Sequence, residues 1–337
     1  MKGRKTVPLI ISLALLVFAA GALVMFLKGY KNTEAEEKTV FAMDTSCTAK
    51  VWGADPKIIC DEITNLSDKL DCHNEQSEIS KLNFNGSAEL SDETADLIRQ
   101  SKKLTEKYPE TDISIGAVTK LWNVTGNSPS VPSEDAINIA LQTCGIEKIK
   151  LSGNSCTLES GAQLDLGAVA KGYALDKAKQ KLEEKEAECA VISMGSSSLL
   201  YGKKPDGEDF SVAVKDPDGD GNLLKFTTQE CFVSTSGGYE RFFESDGKKY
   251  IHIFDKTTGR PVETDLVSVT VICSGGLKSD QLSTSIFIGG TKKLTQYFSD
   301  KNIKIIAVDT QGNIHISKEL ENKITLEKSG HTIIVEK

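Results

Sequence analysis

The 337-residue chain is 39% hydrophobic and 26% charged, long enough to bury one large core or two modest ones and too balanced for a disordered, collagen-like or coiled-coil protein. Forty basic side chains against 48 acidic ones give a formal charge of −8. The N-terminal stretch is net basic, so the rest is more acidic than the whole, which excludes a general nucleic-acid or anionic-membrane surface.

Lys2, Arg4 and Lys5 precede an uncharged run from Thr6 to Leu27 that is long enough at helical rise to cross a hydrocarbon core. The basic flank predicts a cytoplasmic N-terminus and an exported body. Ala20-Gly21-Ala22 offers a cleavage site, making a cleaved signal peptide the alternative, but the apolar run continues through Leu27 and fits an uncleaved anchor better. The expected organisation is residues 1-30 as anchor or signal segment, 31-38 as a polar tether and 39-337 as one folded domain, held at the cell membrane outside the cytoplasm. No cysteine precedes Cys47, so a lipid-modified cysteine directly after the apolar run is not available.

Within the body, Thr39 to Trp52 reads as strand, and Ile59, Ile63, Leu66 and Leu70 form the stripe of an amphipathic helix. A second helix follows Ser91 with the stripe Leu97, Ser101, Leu104 and Tyr108, and a third runs from Ser133 as N-cap to a stop at Gly145. Asp112-Ile-Ser-Ile-Gly116 reads as a short strand. Helices are expected to start at Gly167 and near Leu277, with strands at Ala190 to Met194, Phe210 to Val214, Arg241 to Glu244, Tyr250 to Phe254, Val267 to Cys273 and Ile303 to Val308. Asp246-Gly247 is a hairpin turn. The sum is an α+β fold with mixed sheets and helices packed on them. The eight cysteines are widely spaced without a C-x-x-C pair, so a zinc ribbon or thioredoxin motif is absent; disulfides and buried thiols both stay open.

Two motifs imitate sites. Asp216-Pro-Asp218-Gly-Asp220-Gly221 resembles the start of a calcium loop, but the twelfth position is Thr227, so an acidic hairpin turn is expected. Ser234-Thr-Ser-Gly-Gly238 lacks the G-x-S-x-G elbow of a serine nucleophile.

Three segments carry chemistry. Leu164-Asp165-Leu-Gly167-Ala168-Val-Ala-Lys171 leads a carboxylate and small residues into a helix, whose free N–H groups suit phosphate, with Lys171 adding positive charge. His252 lies on an alternating strand with Tyr250 and Phe254, ending in a turn at Gly259. Asp280 and Thr284, four apart, share a helical face and could hold a hard cation such as Mg²⁺.

Together with Met43-Asp-Thr-Ser46, Ser77-Glu-Ile-Ser-Lys-Leu-Asn83, Asp112-Ile-Ser-Ile-Gly116, Ser234-Thr-Ser-Gly-Gly-Tyr239, His252-Ile-Phe-Asp255 and Asp280-Gln-Leu-Ser-Thr284, these segments make the chain resemble the ApbE-type FAD:protein FMN transferases from about Thr39 to Val308. The resemblance implies an extracytoplasmic transferase that uses FAD as substrate and Mg²⁺, moves FMN to a threonine hydroxyl of an exported redox protein and releases AMP. It further implies that Met43, His73, Thr111, Asp112, Asp165, Lys171 and Phe254 line the FAD site. Mg²⁺ would be held by the Ala168 carbonyl, Asp280 and Thr284, with Ser283 as a further ligand, and His252 would be the general base. Family members usually carry Met-Gly-Thr at Met43-Asp44-Thr45, a small or aromatic residue at Thr111 and an aromatic at His73. The acceptor pattern is missing, because Ser160-Gly161-Ala162 is followed by Gln163, so self-modification is not expected. Alternatives are an FAD pyrophosphatase, with water as acceptor, and a tethered flavin-binding protein without turnover.

Overall fold

A computed structural model describes residues 34–159, 161–217 and 219–336. The apolar segment Thr6 to Leu27 lies outside these residues, and no helix among them is long and apolar enough to cross a membrane. Glu36 to Lys38, expected in the tether, open the first strand.

The largest sheet has strands β1 (Glu36–Ala42), β2 (Thr45–Trp52), β3 (Cys189–Met194), β4 (Ser197–Gly202), β5 (Cys231–Gly237), β6 (Leu266–Cys273), β7 (Ile303–Asp309), β8 (Asn313–Ser317) and β9 (Thr332–Glu336). They lie side by side in chain order, and every neighbouring pair is antiparallel except β8 and β9. Helices α1 (Pro56–Leu70), α2 (Glu78–Asn85), α3 (Asp92–Lys107), α4 (Gly116–Trp122), α5 (Glu134–Leu141), α6 (Ala170–Glu184), α7 (Gly276–Gly289) and α8 (Thr291–Phe298) fill the long connections.

Alternation along the strands divides the core between the two sheet faces. On β6, Val269 and Val271 pack with Leu282, Ile286 and Phe287 of α7, whereas Ile272 packs with Phe226 and Leu224 of a small sheet formed by Phe210–Lys215, Asn222–Thr228 and Ile324–Leu326. Both faces are therefore covered, which explains why Ser268 to Cys273 are buried without interruption, hydroxyl side chains included. Ile59, Ile63, Leu66 and Leu70 face inward on α1 as predicted, Leu97 and Ser101 are buried on α3 while Leu104 is half-buried, and the Ser91 and Ser133 side chains cap α3 and α5. The α+β architecture stands.

Several local expectations change. Thr39 to Trp52 is a hairpin, because Met43 (φ 50°) and Asp44 (φ 56°) form a two-residue turn between the paired Ala42 and Thr45. Left-handed φ at position 44 is the physical reason a glycine suits it, and aspartate is among the few other residues that tolerate it. Asp112 to Gly116 is a turn, since Asp112 Oδ1 accepts from Ser114 N at 2.9 Å and Ser114 Oγ at 2.8 Å. α5 ends at Leu141 rather than Gly145, and α6 begins at Ala170, after a turn in which Asp165 Oδ1 takes the Gly167 N–H at 2.8 Å. Tyr250 to Phe254 is two short strands, Lys248–Ile251 and Phe254–Asp255, with different partners, and His252 sits at the break between them. Asp216 and Gly221 end the hairpin loop joining Phe210–Lys215 to Asn222–Thr228.

The junction of α6 and α7 is unusually close. A Cβ on Gly172 would overlap the Gly276 carbonyl oxygen and lie 2.6 Å from Asp280 Cβ. Asp176 of α6 caps α7 by accepting from Gly276 N at 2.7 Å and Leu277 N at 2.8 Å, replacing the side-chain cap that Gly275 lacks. Gly172→Ala should therefore destabilise the fold by about 1–3 kcal/mol, read as a lower unfolding midpoint; an unchanged midpoint would mean the two helices separate freely.

Candidate functional site

A cavity of about 470 Å³ opens between the Met43-Asp44 turn, the start of α6, α7, the end of β5 and the His252 segment. That size suits one cofactor-sized molecule. It brings together Met43, His73, Thr111, Asp112, Asp165, Ala168, Lys171, His252, Phe254, Asp280 and Thr284 from segments spread over the chain.

The α6/α7 junction shapes one wall. Asp280 has a side chain only 5% exposed; its Oδ2 accepts the Gly172 N–H at 2.9 Å and its Oδ1 accepts from Ser197 Oγ at 3.2 Å. Lys171 Nζ stands 3.6 Å from Oδ1. Gly172 is the third residue of α6, so its N–H has no carbonyl partner within the helix and is taken by Asp280, while Ala168, just before the helix, lines the cavity. Thr284 follows one turn after Asp280, its hydroxyl 3.0 Å from Ser236 Oγ. A carbonyl, a carboxylate and a hydroxyl are the oxygen donors a hard cation takes, with phosphate oxygens and water completing its shell. The residues present therefore fit Mg²⁺. Ser283 does not join them: it is fully buried, lies outside the cavity lining, and its Oγ donates to the Asp280 carbonyl at 2.9 Å and meets Ser236 Oγ at 2.8 Å. Both hydroxyls reach Ser236 of β5, but only Thr284 also lines the cavity.

His252 is fixed by Arg241. The Arg241 carbonyl takes the His252 backbone N–H at 3.2 Å and faces Nδ1 at 3.1 Å. A carbonyl only accepts, so Nδ1 carries the hydrogen and Nε2 keeps its lone pair. Burial pushes the imidazole down to about 4, against the carbonyl hydrogen bond, which favours the protonated ring. At neutral pH the ring is a free base.

The remaining walls are more apolar. Phe254 packs on Trp122, ring centres 6.1 Å apart, and Trp122 Nε1 donates to the Gly259 carbonyl at 2.8 Å, fixing the turn after His252. The Met43 N–H donates to Ser67 Oγ at 2.9 Å and the His73 N–H to Asp71 Oδ1 at 2.8 Å, holding both residues at the rim. Thr111 lines the cavity, yet its hydroxyl is engaged with Ser285 Oγ at 2.7 Å.

Sequence reasoning did not single out Glu240, Arg241 or Lys256, all of which line the cavity. The first two follow Ser234-Thr-Ser-Gly-Gly-Tyr239 directly, and a charged pair ending an otherwise small, neutral motif was the available signal. Burial raises the Glu240 carboxyl, with Lys171 opposing. Arg241 Nη2 donates to the Asp44 carbonyl at 3.1 Å, tying the hairpin turn to the His252 wall. Ser234 of the discarded nucleophile motif is buried and bonded to Ser279 Oγ at 2.9 Å. All eight cysteines are free, and burial lifts Cys47 and Cys72 to about 12, which keeps them thiols.

The profile of the ApbE family matches residues 43–307. Among curated relatives, a protein of Treponema pallidum named FAD:protein FMN transferase is 34% identical over 53% of this chain, which spans only 55% of that relative's length. A protein of the same name from Vibrio cholerae is 28% identical over 71% of this chain and 76% of its own. The crystal structure of the ApbE protein from Thermotoga maritima superposes with a TM-score of 0.79 at 30% identity, covering 85% of this chain and 98% of that one. The apo flavinyl transferase ApbE of Pseudomonas stutzeri shares the fold, with a TM-score of 0.74 at 24% identity over 83% of this chain and 92% of that one. A matched profile over most of the chain, and a 30% identical structure covered almost throughout, establish that the chain belongs to the ApbE family.

Proposed function

We propose that the protein is an FAD:protein FMN transferase: with Mg²⁺ in the cavity it moves FMN from FAD to a threonine hydroxyl of a protein acceptor and releases AMP. The observation that carries this reading is a neutral His252 with a free Nε2 in one cavity with the Ala168, Asp280 and Thr284 oxygens and Lys171. Relatives named FAD:protein FMN transferase supply the reaction class.

In the proposed reaction the acceptor oxygen attacks the FMN phosphorus, its proton passes to His252 Nε2, and the bond to the AMP phosphate breaks. Mg²⁺, held by Asp280, Thr284 and the Ala168 carbonyl, would neutralise diphosphate charge as the leaving group departs. Lys171 adds a cation beside the same oxygens, and Ser197 and the Gly172 N–H keep the Asp280 carboxylate oriented. Transfer rather than hydrolysis requires the acceptor to fill the space beside His252 and exclude water, so that its hydroxyl has the effective concentration of a bound reactant. We further propose that the N-terminal apolar segment anchors the enzyme at the cell membrane, with its cavity outside the cytoplasm, where exported redox proteins are its acceptors.

Incubated with FAD, Mg²⁺ and an acceptor domain, the protein should add one FMN per acceptor, seen by intact mass, with AMP in equal amount. Rapid AMP release with no flavin gained by any acceptor would make it a pyrophosphatase. Asp280→Ala should abolish Mg²⁺-dependent AMP release in a chain that still unfolds cooperatively; full activity in the variant, or of the wild type in excess chelator, removes the cation from the reaction. His252→Ala should slow transfer by about 10²- to 10⁴-fold. Because the depressed imidazole is neutral above about 4, kcat/KM should hold from neutral pH downward and fall only as pH drops through that region. An acid limb centred near 6.5, the value of an exposed imidazole, would mean the ring is not enclosed as described.

A further inference from the structure

One charged pair in the cavity has no part in the reaction above. Lys256 Nζ lies 3.4 Å from Asp112 Oδ2, and the Asp112 side chain is only 1% exposed. The other carboxylate oxygen, Oδ1, is engaged by Ser114, whose Oγ in turn accepts the Gly145 N–H at 2.6 Å. Asp112 is thus clamped through one oxygen while the second meets Lys256 at a distance long for a charge-assisted hydrogen bond. Oδ2 retains accepting capacity, and the ammonium, 28% exposed, has donors to spare. The cavity that holds the pair is also lined by the apolar Ile113, Ile115, Val124 and Phe254.

An acceptor fixed beside a donor in a cavity with apolar lining is complementary to the edge of a flat heteroaromatic ring that carries an N–H next to a ring nitrogen or carbonyl. A buried ion pair left loose is a poor contributor to stability on its own, because each charge loses hydration that a 3.4 Å contact only partly replaces. A ligand edge that bonds both groups would complete it. FAD offers two such edges, the imide of the flavin and the amino-pyrimidine side of adenine. We propose that Lys256 is a specificity-determining residue that acts with Asp112 to read the hydrogen-bonding edge of one of FAD's two ring systems. The proposal rests on FAD being the substrate.

The test measures equilibrium binding of FAD, FMN and AMP to the full chain in Mg²⁺, by calorimetry, for wild type, Lys256→Met, Lys256→Arg and the double variant Asp112→Asn with Lys256→Met. Failure of the wild type to bind FAD would overturn the substrate reading itself, whatever Lys256 does. With FAD bound by the wild type, Lys256→Met should weaken FAD by about tenfold or more and weaken one fragment equally while sparing the other. Loss on FMN assigns the pair to the flavin; loss on AMP assigns it to adenine. Lys256→Arg, which keeps the charge and a donor, should recover part of the affinity. The double variant leaves no uncompensated buried carboxylate, so it carries the test if Lys256→Met alone does not fold, and it should show the same selective loss. FAD affinity unchanged in the folded variants, or an equal loss on both fragments, would reduce Lys256 to a counter-ion of Asp112 and overturn the proposal.

Discussion

The contact between α6 and α7 at Gly172 and Gly276 is the constraint on which the site depends. Two backbones approach there without intervening side chains, and that closeness lets a backbone N–H of one helix bond to the Asp280 carboxylate of the other. A single hydrogen bond then has two effects: it orients the carboxylate, and it satisfies a donor that the first turn of α6 leaves without a helical partner. Capping of α7 by Asp176 from α6 fixes the rotation of one helix against the other. Glycine at positions 172 and 276 is therefore required by geometry before any ligand is considered.

The opposite wall is organised by backbone rather than by packing. Arg241 gives its carbonyl to His252 and its guanidinium to the Asp44 turn, so one residue links the cavity rim to the tautomer of the base. The exposed ion pair it makes with Asp44 is worth little in itself; its importance is in register, since Arg241 and Asp44 are 197 residues apart in the chain. Enclosure supplies the rest, keeping the imidazole neutral where solvent would leave it partly charged.

Much of this was legible in the sequence wherever periodicity or spacing carried it. The α1 stripe and the Ser91 and Ser133 caps each follow from a helical period or a capping pattern the fold has to satisfy. What was lost were places where a side chain redirects the backbone: the left-handed pair Met43 and Asp44, the Asp112 turn, and the break at His252, where neighbouring strands take different partners. Such breaks leave no period. Asp280 and Thr284 share the cavity because a helix sets their spacing, whereas Ser283, though bonded to the same Ser236 hydroxyl as Thr284, lies outside the lining. Lys256 and Glu240 were missed because a single charge in a loop is ordinarily solvated, and only tertiary enclosure turns it toward a cavity.

The strand order of the large sheet has a bearing on how the chain folds. Each strand lies beside its predecessor, so β1 with β2, β3 with β4, and β7 with β8 close through turns of a few residues. The joins between β2 and β3, β4 and β5, β5 and β6, and β6 and β7 are long, and they contain α1 to α6, two strands of a small sheet, the His252 and Lys256 segment, and α7 with α8 respectively. Long closures cost more chain entropy and contribute non-local contacts, which slow folding. The expected order is local hairpins first and the cavity last, since its walls combine two short hairpin turns, Met43-Asp44 and Gly195-Ser196, with segments at or within the long joins. Pulse-labelled hydrogen exchange would read this directly: amides of β3 and β4 should gain protection before the Gly172 amide, and the reverse order would show that the helical junction nucleates the sheet.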